Sequence, residues 1–591
     1  MTDRTFLAMA SSIAAVVAVA AVAACGTPRA RSVATPVAVF PSPEALTAIT
    51  AQPVPSPRLD EGAVPEQGWT IELPAPGEAA SASAASTPWQ PRDAWDRALT
   101  QAMASAGRSP RMSEAMACIA RELGRWTLGH DDATPAGLRR FIIGACGAVA
   151  TEVAVKALGG ELPEEASDDE VFQHWGGQVP DLVASLPAGA TEAGFAFVRS
   201  GGHAVALLAY AEAAAELEPF SIHPSASGEL TLTGSLGGPV DYVSGAVNRG
   251  RYGVAPCDVD PTIAPPRFRV TCQVAADDDS AWIELVYSPP RRVLATSFAR
   301  VLARRPTTTQ LTYQPASHAT GQAVTSTGQF ADLAMATLNE VRARAGLTPV
   351  LLNVAESATA TRIAPYYFDA ALANRSTERL DTIALGLLAG WDVDGMIRDG
   401  RFISTLVPRT QDPARWLDDT LELPSGRSAL LADGIEQVAL GPVLLEEPMA
   451  AGAVVVGYRF HHGTDHQADI DRLLARTTVA RRQLSLPDPT RLTGLDVVVR
   501  RELEQVQLGH AAPAAALQRV LDVASARSGV GMRGVVIEAT SLDALQLPDT
   551  VLRQRNLRLE LGVTHHKPPG AAWAQLVILV VFEDTGSVTS S

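Results

Sequence analysis

The chain lacks the short signatures that name an enzyme class outright. It contains no Gly-x-Ser-x-Gly elbow, no His-Glu-x-x-His pair and no phosphate loop ending in Lys-Ser or Lys-Thr. Gly529, Gly531 and Gly534 do satisfy Gly-x-Gly-x-x-Gly, but they follow a helical stretch and precede the strand-like VVIEA. A dinucleotide loop needs the reverse order, so that reading is rejected. A Ser-His-Asp set assembled across space stays open, because its members need not be near in sequence. Basic residues are the scarcer charge: 48 Lys and Arg against 64 Asp and Glu leave a net charge of −16. Such an excess argues against nucleic acid or an anionic lipid surface as a partner.

Cysteine is also sparse, at five residues, and no two stand as Cys-x-x-Cys, which makes redox catalysis and a zinc ribbon poor readings. Phe6 to Ala24 is an uncharged run of apolar and small residues behind Arg4, ending in Val-Ala-Ala-Cys25-Gly26. This end resembles the bacterial lipobox, in which the cysteine is acylated and the peptide before it removed. Residues 1–25 are therefore expected to be a lipoprotein signal peptide, with Cys25 as the lipid-bearing residue. More than one acyl chain gives lasting anchorage, so the membrane is an expected partner through Cys25. An uncleaved anchor is the competing reading, since a run of about 19 residues just spans a bilayer. Gly26 resembles the residue that follows the cysteine in lipoproteins sorted to the outer membrane. The expected location is the cell envelope, at an outer membrane or the cell surface. Cys118, Cys146, Cys257 and Cys272 remain, an even number that spacing alone would allow to pair in three ways. Local pairing, Cys118 with Cys146 and Cys257 with Cys272, keeps each bridge inside one expected domain.

Residues 26–87 are rich in Pro, Ala, Ser and Thr and predict a disordered tether. The remaining chain is too long for one core. Residues 88–217 predict a mainly helical α+β module, with helices from Ala94 to Ala106, Ser113 to Leu128 and Ala136 to Leu158. GFAFVRSGGHAVALLAY then reads as a strand pair. Lone His203 within it reads as an edge or core histidine. Residues 218–306 alternate in short strands and predict a β-sandwich, with Asp277, Asp278 and Asp279 in a solvated turn. Residues 465–492 read as a linker helix and 493–584 as a C-terminal α+β module. Its Leu576 to Phe582 run is too short to span a membrane and reads as a core strand.

The stretch 325–464 carries a resemblance. Leu333, Leu338 and Val341 lie at helical spacing and Gly346 stops that helix. Leu338-Asn339-x-x-Arg342, Gly346-Leu347-x-Pro349, the Asp381 to Gly386 segment, Trp416, and Ser425 to Leu431 follow in an order that resembles the CAP superfamily of cysteine-rich secretory, antigen 5 and pathogenesis-related proteins. The resemblance implies an α-β-α sandwich, here within a multidomain α+β chain that also holds the β-sandwich and flanking α+β modules. It also implies a cleft near Asp381 and Arg427, where the family carries paired His and Glu able to hold a divalent ion. This chain has Gly426 before Arg427, Asp381 at the Glu position, and no His from Ala360 to Arg379. A cleft without imidazoles has lost its metal ligands and its general base, so no cofactor is expected there. QVALGPVLL and AVVVGYRF are the expected closing strands. Three segments of the chain each close a mainly helical stretch with such a hairpin, which suggests a loose internal repeat.

His461, His462 and His466, with Asp465, form the densest local group of metal-type ligands, although Asp465 also reads as a helix N-cap. His565 and His566 read as a solvated hairpin tip. Two functions follow. The first is a non-catalytic module binding a small ligand, a lipid, a peptide or an envelope protein; the missing imidazoles make binding the easier role. The alternative is an envelope hydrolase using the His461 to His466 group. Changing Cys25→Ala should release the protein from membranes or block its maturation. Detergent partitioning measures this, and unchanged partitioning with the apolar run retained would favour the uncleaved anchor.

Overall fold

The structure is a computed structural model. It describes residues 18–22, 41–57, 68–73, 91–130, 134–163, 165–289, 295–314, 322–372, 377–408, 410–446, 449–462, 466–539, 542, 545–568 and 573–584. The described residues divide into two units. One holds 43–387 with 401–457, and the other holds 12–42 and 388–400 with 458–591. The protein is a multidomain α+β chain with six small sheets among the described residues.

Three of those sheets share one strand order. In the first module the order is Arg111–Met112, Glu192–Ser200, His203–Ala211, Ala154–Glu161. In the middle module it is Leu351–Leu352, Gln437–Glu446, Met449–Phe460, Ile397–Pro408. In the last it is Thr490–Arg491, Arg558–His566, Gln575–Glu583, Met532–Ala539, with Ala18–Val22 added antiparallel on the outer edge. Each begins with a two-residue strand parallel to the first arm of the closing hairpin. The expected repeat is thus present in topology.

Each sheet is covered on both faces, because alternate residues along its strands point to opposite sides. In the middle module Val438, Leu440, Ala451, Ala453 and Val455 face the helices Thr327–Arg344 and Pro413–Glu422, meeting Phe330, Leu338 and Trp416. On the other face Gly441 lies against the backbone of Ala360 in helix Val354–Leu372, where a Cβ would come within 2.4 Å of it. Gly194 meets the backbone of Ala117 in the same manner, and Gly562 lies against the Val499 and Leu503 side chains, so each module uses a glycine in the first hairpin arm to let a helix approach. In the last module, Val535, Ile537, Leu561 and Ile578 face Leu473, while Val536, Leu579 and Val581 face Val499, Leu503 and Leu517.

The first helix of the middle and last modules ends on a buried arginine. Arg342 donates to the carbonyls of Thr348 (2.8 Å), Leu430 (2.5 Å) and Ile435 (3.5 Å) and is fully buried. Arg481, equally buried, donates to those of Pro487 (2.7 Å), Leu552 (2.5 Å), Gln554 (2.8 Å) and Arg555 (3.4 Å). Four residues on, Gly346 and Ser485 both take the left-handed conformation, with φ of 72° and 57°. In the first module Gly107 takes it at φ 62°, and Met103 stands four residues before it.

The β-sandwich packs two four-stranded sheets, with Leu230, Leu232, Val270, Ile283, Leu285 and Val301 turned inward. The Cys257–Cys272 bridge joins the sheets, and Cys118–Cys146 joins two helices of the first module, as local pairing required.

Three expectations are corrected. Within 26–87 the described residues form a helix, Pro43–Thr50, and a strand, Trp69–Glu72, paired with Gln310–Tyr313. Leu46 and Ile49 are buried, and Gln52 accepts from the Tyr366 hydroxyl, so this part packs where a tether was expected. The helix begun at Ala136 stops at Ala145, where Gly147 turns the chain with φ 81° into the strand Ala154–Glu161. The helix Gln467–Gln483 is no linker, since its Leu473 and Arg481 are core residues of the last module. Cys25 lies outside the described residues.

A buried carbonyl stranded without a donor costs about 1–3 kcal/mol. Arg342→Ala should therefore lower stability by about 3 kcal/mol or more, since it strands several carbonyls. Arg342→Lys should recover only part of this, because one ammonium cannot reach all three. Urea unfolding of the full chain measures both, and an alanine variant as stable as wild type would show that the clasp carries no stability.

Candidate functional site

The two residues expected to mark a cleft lie on different helices. Asp381 sits half-buried in helix Thr377–Ala389. Arg427 sits in helix Pro424–Leu430 and is spent on backbone, donating to the carbonyls of Leu421 (2.8 Å), Gly250 (2.9 Å) and Gly253 (3.0 Å). Burial holds its pKa down to about 10. Beside it, a Cβ on Gly426 would lie 1.8 Å from the Thr420 carbonyl oxygen. No side chain fits there without moving backbone. The helix is covered by the β-sandwich: Ser425 N–H donates to Glu284 Oε2 (3.1 Å), and the other oxygen of Glu284 takes the Arg300 guanidinium (3.0 Å).

Next to this contact lies a cavity of about 360 Å³, bordered by Arg427 but not by Asp381. Its walls come from helix Ala136–Ala145, the sandwich strands at Trp282 and Leu302, the strand Gln310–Tyr313, and helix Pro413–Glu422. Sequence reading missed it, because its residues are scattered from 135 to 427. Its centre is Arg140, which donates to Asp419 Oδ1 (2.7 Å) and Glu422 Oε2 (2.5 Å). Burial opposes the charge on Arg140, but the Glu422 and Asp419 carboxylates outweigh it and raise the pKa. Burial also raises the pKa of Glu422, against the pull of Arg140. Asn248 donates to the Glu422 backbone carbonyl (2.7 Å). Two polar atoms of these buried side chains, Arg140 Nε and Asn248 Oδ1, have no hydrogen-bond partner among the described residues. No histidine or cysteine is among the residues that line the cavity.

In the other unit the structure regroups the histidines. His461 and His466 are joined by His565, which lies buried in strand Arg558–His566 and not at a solvated tip. His462 stays outside the group, against Phe460 at 6.4 Å between ring centroids. His466 Nε2 lies 3.2 Å from His565 Nδ1, and His466 Nδ1 lies 3.2 Å from Asp469 Oδ2. The His461 and His565 rings stack 5.8 Å apart. Asp465 lies outside the described residues, and the N-cap position of the following helix is His466, which makes no capping bond. Among the described residues no three His, Cys, Asp or Glu side chains are placed to hold a metal ion. Burial, then the neighbouring His565, lowers the pKa of His461 to about 4, with Arg398 and His466 adding to the effect and a backbone hydrogen bond with Ala574 opposing it. Burial lowers His565 and Lys567 as well.

Among solved structures, the likeness is to CAP/SCP-domain proteins. One is a cysteine-rich secretory protein from Staphylococcus aureus, 11% identical, covering 51% of this chain and 97% of its own, with a TM-score of 0.18. Another is an extracellular protein containing an SCP domain from Bacillus anthracis, 13% identical, covering 41% of this chain and 88% of its own, with a TM-score of 0.17. No family model matches the chain, and no curated protein does. At TM-scores of 0.18 and 0.17 neither likeness carries an argument about fold or residue roles.

The histidine group makes stability depend on pH. His461 titrates near 4 folded and near 6.5 unfolded, so between these values the unfolded chain binds more protons. The resulting stability is present above about pH 6.5 and is lost as pH falls toward 4. Urea midpoints at pH 7, 5.5 and 4.5 should fall more steeply for wild type than for His461→Gln. Equal slopes would show that His461 does not titrate in this window.

Proposed function

We propose that the chain is a lipid-anchored envelope protein, held by Cys25, that works as a non-catalytic binding module and takes its ligand in the cavity around Arg140. The observation that carries this reading is the cavity's chemistry. Its volume falls at the lower end of the usual range for ligand sites, and its walls mix apolar side chains with a few buried polar groups. Arg140 ties up both Asp419 and Glu422 in hydrogen bonds, and neither histidine nor cysteine lines the cavity, which favours a binding role over a catalytic one. A degenerate CAP-like middle module fits the same reading. In the hydrolase alternative, buried His466 and His565 hydrogen-bond each other, which spends the lone pair of the one that accepts.

Two measurements on the full exported chain test this. Zinc titration by calorimetry should give no stoichiometric binding, because one carboxylate leaves most of a zinc shell to water. Stoichiometric zinc lost on Asp381→Asn would overturn the reading of the cleft; zinc lost on His461→Ala would move the site to the histidine group. A fragment screen by thermal shift should give ligands that Ala136→Leu, at the cavity wall, abolishes. A screen whose ligands all ignore that substitution would overturn the cavity as the site.

A further inference from the structure

Taking the binding reading above as its basis, we infer that the cavity recognises an amide group: a neutral or cationic short peptide or peptide-like amide, and not a carboxylate or phosphate. Arg140 and Asn248 are each more than nine-tenths buried, and both line the cavity. Each spends its other group on Glu422, Arg140 on the carboxylate and Asn248 on the backbone carbonyl. One donor, Arg140 Nε–H, and one acceptor, Asn248 Oδ1, are both buried and left without a partner among the described residues. A ligand satisfying both must offer a carbonyl oxygen and an N–H together. The amide is the common neutral group that does so.

The charges set the second half of the inference. Three arginines and four carboxylates border the cavity, a balance of −1. Arg140, the most buried of those cations, already holds two carboxylates, so an incoming anion would compete with Asp419 and Glu422 for it. Phe141 and Trp282 supply apolar wall for a side chain beside the amide. A cavity of this volume has room for a fragment of about dipeptide size.

The test uses N-acetyl-L-phenylalaninamide, L-phenylalaninamide and the amide-free acid 3-phenylpropanoate, titrated into the full chain by calorimetry. Both amides should bind, and the acid should bind at least tenfold more weakly. Asn248→Leu should weaken the amides about tenfold, with melting temperature and circular dichroism reporting whether the fold survives. Ala136→Leu keeps both polar groups and should abolish amide binding by filling the wall. An acid that binds as well as the amides would overturn the inferred class. Absent amide binding alongside fragments that remain sensitive to Ala136→Leu would also overturn it, while leaving the binding reading intact. If nothing sensitive to Ala136→Leu binds, both fall together.

Discussion

A buried guanidinium coordinated by backbone carbonyls, with no carboxylate bonded to it, is the constraint on which two of the three modules depend. Arg342 and Arg481 sit at the close of the first helix and gather the carbonyls of the segments that lead into the two-residue strand and into the closing hairpin. Removing a cation from water is costly, and the carbonyl dipoles replace the lost hydration. Arginine suits this because its planar fork presents five donors at fixed angles, which a lysine does not. The helix end, the left-handed turn and the parallel strand are thereby set in one place. The first module has Met103 instead and adds the Cys118–Cys146 bridge, a covalent tie in a different position.

How far the sequence discloses this differs by feature. The hairpins were legible because their strands are long, apolar and bounded by turns, as in VALGPVLL and LELGVTHH. The glycine in each of those two segments marks the helix contact, yet in sequence it reads only as a small residue in a strand. The disulfides were legible once local pairing was preferred. The repeat was only faintly legible, because two-residue strands such as Arg111–Met112 and Thr490–Arg491 carry no periodicity. The helix of the last module reads as a linker because charged residues dominate it, and nothing local sets Arg481 apart from Arg472, Arg476 and Arg482. Burial of a charge is a tertiary fact that local pattern does not announce.

The cavity lies beside one packing contact. Glu284 divides its two oxygens between Arg300 inside the sandwich and the Ser425 N–H of the middle module. That contact covers the helix Pro424–Leu430, which carries Gly426 and Arg427. The cavity is bordered by the same surfaces, so its lining is drawn from segments far apart in the chain. Local sequence pattern does not bring such segments together.

The short helix Pro43–Thr50 bears on how far the globular part can stand from a lipid surface. Cleavage before Cys25, which the proposed lipid anchor requires, removes the edge strand Ala18–Val22, and eighteen residue steps then separate Cys25 from Pro43. Eighteen residue steps at full extension reach roughly 65 Å, against roughly 220 Å for a tether running to residue 87. On the proposed anchor, the protein works as a short-leashed receptor. Its ligand must arrive within a narrow shell above the membrane, and a partner on a facing surface is in reach only across a gap of that width.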